Sequence, residues 1–274
     1  MCIRDRIGGN AIVIEDEWGT PVSLDKLEDA LKSNPDTEVV AFVHAETSTG
    51  VRSDAKEIAE IAKKYGCLVI ADTVTSLVGI PVLTDEWGLD AVYSGSQKCL
   101  SSVAGLSPLT FSDKAIKKIQ SRDTRIQSWF LDQTLVLDYW SGSGKRSYHH
   151  TAPINSIFAL HESLRLACDE TLENLWKRHL EAHSRLKKGL DKLSFDFVVE
   201  KEYRLPQMNS IHIPKGYDDL EIRSKLLNDY NLEIGAGLGK FSGKIWRIGL
   251  MAVSYTHLRA HETGRNLVCR LLLE

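Results

Sequence analysis

Two short apolar runs separated by an amphipathic stretch stand out in the first third of the chain. Residues 38–46 (EVVAFVHAE) and 67–72 (CLVIAD) are of strand length, and their lack of strict alternation predicts strands buried on both faces. Between them, residues 54–66 place apolar side chains at helical spacing, with Asp54 as the capping residue and Gly66 as the stop. A strand, a helix and a strand of this length predict a right-handed crossover in a parallel sheet.

The pattern continues as an α/β domain and then changes. Residues 90–97 (DAVYSGSQ) and 107–113 (SPLTFSD) supply two more strands of the same sheet. Residues 155–193 carry apolar side chains at intervals of three and four, which predicts a long helical bridge between domains. Beyond it, the strand-like runs FDFVVE and MNSIHIP, a helix over 218–230 and the run KIWRIGL at 244–250 predict a small α+β domain.

The two ends of the chain lack this order. Residues 1–6 (MCIRDR) and residues 253–274 show no sustained periodicity and resemble translated adapter sequence, so we expect both to be non-native. Between them we expect one domain over residues 7–170 and a second, smaller domain over residues 171–252.

Composition narrows the class of protein. The 274 residues are 43% hydrophobic and 26% charged, as in a globular protein, and no apolar stretch approaches the ~20 residues of a membrane-spanning helix. A net charge of -3 gives no electrostatic reason to expect nucleic acid. The five cysteines are odd in number and lack C-x-x-C spacing, so we expect neither a disulfide framework nor a metal site, and a cytoplasmic location fits.

Polar side chains follow three of the predicted strands. In open α/β sheets, ligands bind beyond the carboxyl ends of the strands, so the stretches HAETSTG, ADTVTS and SGSQK are expected to meet at one site. Asp72 ends an apolar strand, where a carboxylate is costly to bury unless a cation or strong donor meets it; a cap for the next helix is the alternative.

Lys98 is the second candidate, although a solvated loop lysine is the alternative interpretation. A partly desolvated lysine has a lowered pKa and condenses with an aldehyde to form a Schiff base. A buried carboxylate such as Asp72 keeps a pyridine nitrogen protonated, which makes the ring an electron sink. Together the two groups indicate pyridoxal phosphate chemistry.

Five motifs occur in order over residues 7–252: HAETSTGV, IADTVTSLVGIPV, DAVYSGSQKCL, RSYHHTAPINSIFALHESL and WRIGLM. In this order and spacing the chain resembles the alanine-glyoxylate and serine-pyruvate aminotransferase family, within the class V, fold-type I pyridoxal phosphate enzymes. The resemblance implies that residues 7–170 are the carboxyl-terminal part of the large cofactor-binding domain, with a mainly parallel sheet. It also implies that the amino-terminal loop, helix and ring-stacking aromatic residue of the family precede the matched region and are missing here.

The resemblance implies a role for each residue around the cofactor ring. Lys98 forms the Schiff base and moves the proton between the substrate α-carbon and the cofactor. Asp72 pairs with the pyridinium nitrogen, and Val74 packs against one ring face. The hydroxyl of Thr47 approaches the ring oxygen, and Gln97 lies near the phosphate.

Three more residues are implied by the same resemblance. Tyr148 and Thr151 match residues that reach the phosphate of the neighbouring subunit, so a homodimer with a shared active site is expected. Arg247 matches the arginine that grips the substrate carboxylate, for which a guanidinium is an apt bidentate partner. A core aromatic for Tyr148 and a surface ion pair for Arg247 are the alternatives. Residues 235–244 fit no phosphate-loop pattern and are expected to form a flexible loop beside the site.

The implied activity is transamination in two half-reactions. A small amino acid, alanine or serine, gives its amino group to the cofactor, and glyoxylate or pyruvate removes it. A class V relative with an aspartate or aminoethylphosphonate donor remains an alternative, and so does an inactive fragment that retains the scaffold. Desulfurases are disfavoured, because their lysine usually follows a histidine and here Gln97 precedes Lys98.

Overall fold

The computed structural model describes residues 8–140 and 147–251. Both ends that were expected to be non-native lie outside the described residues. The helices are α1 (Leu24–Ser33), α2 (Ala55–Lys64), α3 (Thr84–Trp87), α4 (Asp113–Gln120), α5 (Gln133–Trp140), α6 (Ile154–Glu170), α7 (Leu172–Lys192) and α8 (Asp219–Tyr230). The strands are β1 (Val39–Val43), β2 (Ala45–Glu46), β3 (Val51–Arg52), β4 (Leu68–Asp72), β5 (Ala91–Tyr93), β6 (Leu109–Phe111), β7 (Met208–His212), β8 (Gly235–Ala236) and β9 (Ile245–Gly249).

The first sheet has four strands in the order β1-β4-β5-β6. β1, β4 and β5 are parallel, and β6 pairs antiparallel with β5. Helix α2 connects β1 to β4; the Asp54 side chain caps it by accepting from the Glu57 amide at 3.1 Å, and Ile58 and Ala62 are fully buried. The predicted strand-helix-strand unit and the mainly parallel α/β sheet are confirmed.

One face of strand β1 is covered among the described residues, and its other face is exposed. Val40, Val69 and Val92 are buried in a core with α1 and α2, whereas Val39 is 42% and Val43 is 38% exposed on the other face. Burial of residues 38–46 on both faces was therefore wrong for the described residues. Successive strand side chains point to opposite faces, and both core helices lie on the same one.

The predicted helix over residues 155–193 is interrupted. Helix α6 ends and α7 begins around Thr171, which has a φ of +69° and a ψ of 148°. Neither glycine nor proline marks this break, so the continuous apolar spacing concealed it. Helix α7 continues onto the second sheet, where Leu186 and Leu190 join Trp246 in a separate core. The division of the chain at residue 171 stays a prediction.

The second sheet is antiparallel, in the order β7-β9-β8. The run at residues 195–200 contributes one isolated bridge, between Phe197 and Ile211, instead of a strand. The expected flexible loop over residues 235–244 instead begins with β8 and contains a short 3-10 turn, because Gly235 and Ala236 pair with β9. In the described part of the chain, no helix has both the length and the apolarity that crossing a membrane requires.

Candidate active site

Asp72 is the last residue of β4, and both of its carboxylate oxygens accept a hydrogen bond. The Val74 amide donates to Oδ1 at 2.9 Å, and the Tyr93 hydroxyl donates to Oδ2 at 2.8 Å. The main-chain carbonyl of Asp72 accepts from the His44 amide at 3.0 Å, which ties the ends of β1 and β4 together. The carboxylate is half-buried and oriented, as a partner for a cationic ring nitrogen has to be.

Gly95 lets the loops after β4 and β5 approach each other. A Cβ on Gly95 would lie 2.9 Å from Oε1 of Gln97 and 3.4 Å from Cγ1 of Val74. Val74 and Gln97 are therefore close neighbours at the carboxyl edge of the sheet. Val74 lies beside Asp72 through its amide, and the cofactor contacts expected of Val74 and Gln97 stay predictions.

Lys98 lies in the loop after β5, and the residues that follow it hold this loop in place. Its neighbours Cys99 and Leu100 are each 3% exposed and pack with Val78 and Leu175. Lys98 itself is half-buried, and no ion pair or hydrogen bond engages its amine in the part of the chain that the structure describes. An anchored lysine with an uncommitted amine is suited to imine formation.

Arg247 reaches the same edge from the second sheet. Its Nε donates to the Ala236 carbonyl at 2.8 Å, and its Nη1 donates to the Thr47 carbonyl at 3.2 Å. Burial lowers the pKa of Arg247, and the negative charge of Glu46 opposes that shift. The guanidinium stays charged, so a cation from the second sheet stands beside the loop after β2. The expected contact of the Thr47 hydroxyl with a ring oxygen stays a prediction.

The two sheets are joined immediately around this site. The Gln207 amide donates to the Thr75 carbonyl at 2.8 Å, and the Ser210 hydroxyl donates to the Thr49 carbonyl. Gly50 has a φ of +79°, and a Cβ there would lie 2.6 Å from the Met208 carbonyl oxygen. Glycine is required at this position for both reasons, and the junction holds Arg247 in place relative to Asp72.

Tyr148 and Thr151 form a separate pair. Their hydroxyl groups are 2.6 Å apart, and Tyr148 is 71% exposed. The ring of Tyr148 stacks edge-on against Tyr139, at 6.2 Å between centroids. The structure thus brings Tyr148 and Thr151 together, and the contacts of the described residues connect this pair to Tyr139 rather than to Asp72 or Lys98. A buried core position for Tyr148 is excluded by its exposure.

Tyr93 was missed by the sequence reasoning. Strand register makes Tyr93 the direct partner of Asp72 across the parallel β4-β5 pair, so their side chains lie on the same face. The sequence signal was available: both residues end neighbouring parallel strands and precede polar loops. Burial and the adjacent Asp72 carboxylate raise the pKa of Tyr93 to about 12.

The donor set fits pyridoxal phosphate. An oriented carboxylate, an uncommitted lysine amine, an apolar side chain at Val74 and an arginine at the opposite wall are the groups that the cofactor and an amino acid substrate require. The fold is that of the fold-type I pyridoxal phosphate-dependent transferases.

Comparison with known proteins specifies the family. The model of the aminotransferase class-V family matches residues 6–250, and the chain belongs to this family. It is 38% identical over 267 residues to the alanine–glyoxylate aminotransferase of Rattus norvegicus, an alignment that covers 97% of this chain. Class V aminotransferases are pyridoxal phosphate-dependent, so the cofactor expected from Asp72 and Lys98 is that of the family.

Solved structures agree with this assignment. An alanine–glyoxylate aminotransferase from Nostoc sp. has a TM-score of 0.87 and 42% identity, over 98% of this chain and 70% of that one. The ureidoglycine-glyoxylate aminotransferase of Bacillus subtilis also has a TM-score of 0.87, with 32% identity, over 98% of this chain and 73% of that one. The chain spans 64% of the length of the rat relative.

Proposed function

We propose that this protein transfers the amino group of a small amino acid, alanine or serine, to glyoxylate or pyruvate. The observation that carries the proposal is the oriented Asp72 carboxylate at the end of β4. Cys99, next to Lys98, contacts the Thr75 carbonyl just beyond Asp72 at 3.7 Å, and Arg247 reaches the Thr47 carbonyl. The named activities of the rat and Nostoc relatives support it. Glyoxylate is also part of the name of the Bacillus relative, so it is the better supported acceptor.

Each residue has a defined task in this proposal. Bound pyridoxal phosphate supplies the electron sink that stabilises negative charge at the substrate α-carbon. Asp72 binds the pyridinium N–H through a charge-assisted hydrogen bond. The Lys98 amine holds the cofactor and then moves the proton at the α-carbon. Arg247 binds the substrate carboxylate, and its bonds to Thr47 and Ala236 orient the guanidinium for that contact.

The remaining assignments concern the immediate surroundings of the ring. Val74 would pack against one ring face, the Thr47 hydroxyl would approach the ring oxygen, and Gln97 would lie near the phosphate. Tyr148 and Thr151 bind the phosphate in the site of a second copy, so the protein is proposed to be a homodimer. The odd number of cysteines, five, and the lack of C-x-x-C spacing support the proposed cytoplasmic location.

A panel of amino donors, compared by kcat/KM, tests the proposed donor. Alanine, serine, aspartate, aminoethylphosphonate and ureidoglycine are offered with glyoxylate or pyruvate as the acceptor. Ureidoglycine enters the panel because the Bacillus relative, named for it, shares the fold at a TM-score of 0.87. The proposal expects the highest kcat/KM with alanine or serine, and a preference for any other donor contradicts it.

Substitution of Lys98 tests the chemistry itself. In Lys98→Ala, the near-visible absorbance of the bound cofactor is expected to disappear and amino transfer to fall by about 100-fold or more, because the covalent link and the proton carrier are both lost. Borohydride reduction followed by peptide mass analysis identifies the attached lysine in the unsubstituted protein.

The matched control is Lys118→Ala, which removes an exposed lysine that pairs with Glu38 at 2.9 Å on the surface. This variant is expected to keep both the absorbance and the rate. A folded Lys98→Ala protein that retains covalent cofactor would refute the proposal.

A further inference from the structure

Tyr93 is the one donor to Asp72 that the proposed roles leave unexplained. Its hydroxyl lies 2.8 Å from Oδ2, while the Val74 amide lies 2.9 Å from Oδ1. The two donors occupy different oxygens, so they fix the plane of the carboxylate as well as its position. A main-chain amide alone would leave the carboxylate free to turn about its last bond.

The hydroxyl of Tyr93 is a permanent donor. Burial, the hydrogen bond to Asp72 and the charge of Asp72 raise the pKa of Tyr93 to about 12, in that order of importance. The phenol therefore keeps its proton throughout the range in which proteins work, which rules out a role as a general base near neutral pH. What it offers to the site is one hydrogen bond to a carboxylate.

Asp72 retains capacity for a further donor. A carboxylate has about four lone-pair positions, and the Val74 amide and the Tyr93 hydroxyl occupy two of them. A cationic N–H that arrives at Asp72 thus meets an acceptor that is already oriented.

We propose that Tyr93 is a positioning residue for the cofactor ring: its hydroxyl orients the Asp72 carboxylate for a hydrogen bond with the pyridinium N–H. This inference rests on the proposed function, because it needs pyridoxal phosphate at Asp72. Tyr93 contacts the carboxylate and acts through it.

The test uses the full chain with pyridoxal phosphate labelled with ¹⁵N at the ring nitrogen. In Tyr93→Phe the aromatic ring remains and only the donor is lost. The dissociation constant for the cofactor is expected to rise about 3- to 10-fold, as for the loss of one hydrogen bond to a charged group. The ¹⁵N signal is expected to shift, because a carboxylate that is free to turn makes a weaker hydrogen bond with the ring N–H.

Tyr65→Phe is the matched control. The Tyr65 hydroxyl also faces a carboxylate, Oε1 of Glu28 at 3.4 Å, in the contact between α1 and α2. This variant is expected to leave the dissociation constant and the ¹⁵N signal unchanged. Equal values for Tyr93→Phe and the unsubstituted protein overturn the inference while leaving the proposed function intact. An unsubstituted protein that binds no cofactor defeats the proposed function and the inference with it.

A second measurement does not depend on how Tyr93→Phe folds. With ¹³C at the tyrosine Cζ positions, the Tyr93 signal reports ionisation of its phenol during a pH titration. In Asp72→Asn the pKa of Tyr93 is expected to fall, because two of its three causes involve the Asp72 carboxylate. A Tyr93 titration that Asp72→Asn leaves unchanged shows that the hydrogen bond is absent and overturns the inference.

Discussion

The two parts of the candidate site are held in place in different ways. Asp72 lies at a strand end, receives donors on both oxygens and is followed by a loop whose next residues are buried. Tyr148 and Thr151 bond to each other on the surface, where Tyr148 is 71% exposed. The first part is positioned entirely by its own chain. The second presents two hydroxyl groups outward.

Exposed apolar side chains around Tyr148 and Thr151 explain why this pair lies on the surface. Large apolar side chains that contact neighbours of the Tyr148–Thr151 pair are exposed by 57% to 62%. Trp129 and Phe130 pack against His149, and Trp140 packs against Tyr139. Contiguous exposed apolar patches of this kind mark interaction sites. We therefore expect the strand-end part to work within one chain, and the Tyr148–Thr151 pair to contribute only when a second copy covers this surface.

The largest effect is expected from Asp72→Asn, which tests whether charge or shape matters in the strand-end part. Asparagine keeps the size of the side chain and an oxygen for the Val74 amide, but it removes the negative charge. Amino transfer is expected to fall by about 100-fold or more, because the pyridine nitrogen then loses its ionic partner. Steady-state kcat/KM with alanine and glyoxylate measures this loss.

Asp29→Asn is the control for that experiment, because Asp29 pairs with Lys32 on the exposed surface of α1. It is expected to leave kcat/KM unchanged. If a folded Asp72→Asn protein matched the rate of the Asp29 variant, the ionic role of the strand-end part would be wrong.

A smaller effect, on the pH dependence of stability, is expected from His44, which lies next to Asp72 just beyond β1. Its amide donates to the Asp72 carbonyl, and its imidazole is 3% exposed, so burial lowers the pKa of His44 to about 4. The unfolded chain binds the proton near pH 6.5, so it holds more protons than the folded chain between these values. Stability therefore falls as the pH is lowered from 6.5 to 4, by about 3 kcal/mol from this residue.

His44→Gln isolates that contribution. Urea unfolding across the range from pH 7 to pH 4 is expected to show a shallower loss of stability in His44→Gln than in the unsubstituted protein. His161→Gln removes an exposed histidine of α6 and is expected to keep the original slope. A slope that His44→Gln leaves unaltered would show that His44 titrates alike in both states.

The sequence predicted the strand-end part because its signals are local. An apolar run that ends in Asp72 and a polar loop that carries Lys98 are visible in consecutive residues. Tyr93 and Asp72 are 21 residues apart in the sequence. Predicting their contact requires the register of the two strands, which no local pattern supplies. The break at Thr171 was not predicted, because the apolar spacing continues across it. Only the backbone dihedral angles of Thr171 show where one helix ends and the next begins.

The exposed face of the sheet shows a further limit. Continuous apolar runs predict strands buried on both faces, but burial depends on what packs against each face. In the described ranges, α1 and α2 both lie on the face of Val40, and Val39 on the other face stays exposed. The pattern thus predicted an apolar strand correctly. How much of that strand is buried depends on which helices pack against each face.

The smallest effect is expected from Thr151→Ala, which tests the exposed part of the site. The Thr151 hydroxyl bonds to Tyr148 at the surface, so its removal is expected to change the stability of the isolated chain by less than about 0.5 kcal/mol.

Cofactor affinity is expected to weaken about 3- to 10-fold, as for the loss of one hydrogen bond to phosphate. The proposed homodimer puts this hydroxyl in the site of a second copy, so the weakening is expected only at protein concentrations at which copies associate. Cofactor titration alongside sedimentation measures it. Thr124→Ala, which removes an exposed hydroxyl that accepts from Arg122, is expected to have no effect at any concentration. A weakening by Thr151→Ala that is equally large in the fully dissociated chain would place Thr151 in the site of its own chain and remove the distinction between the two parts.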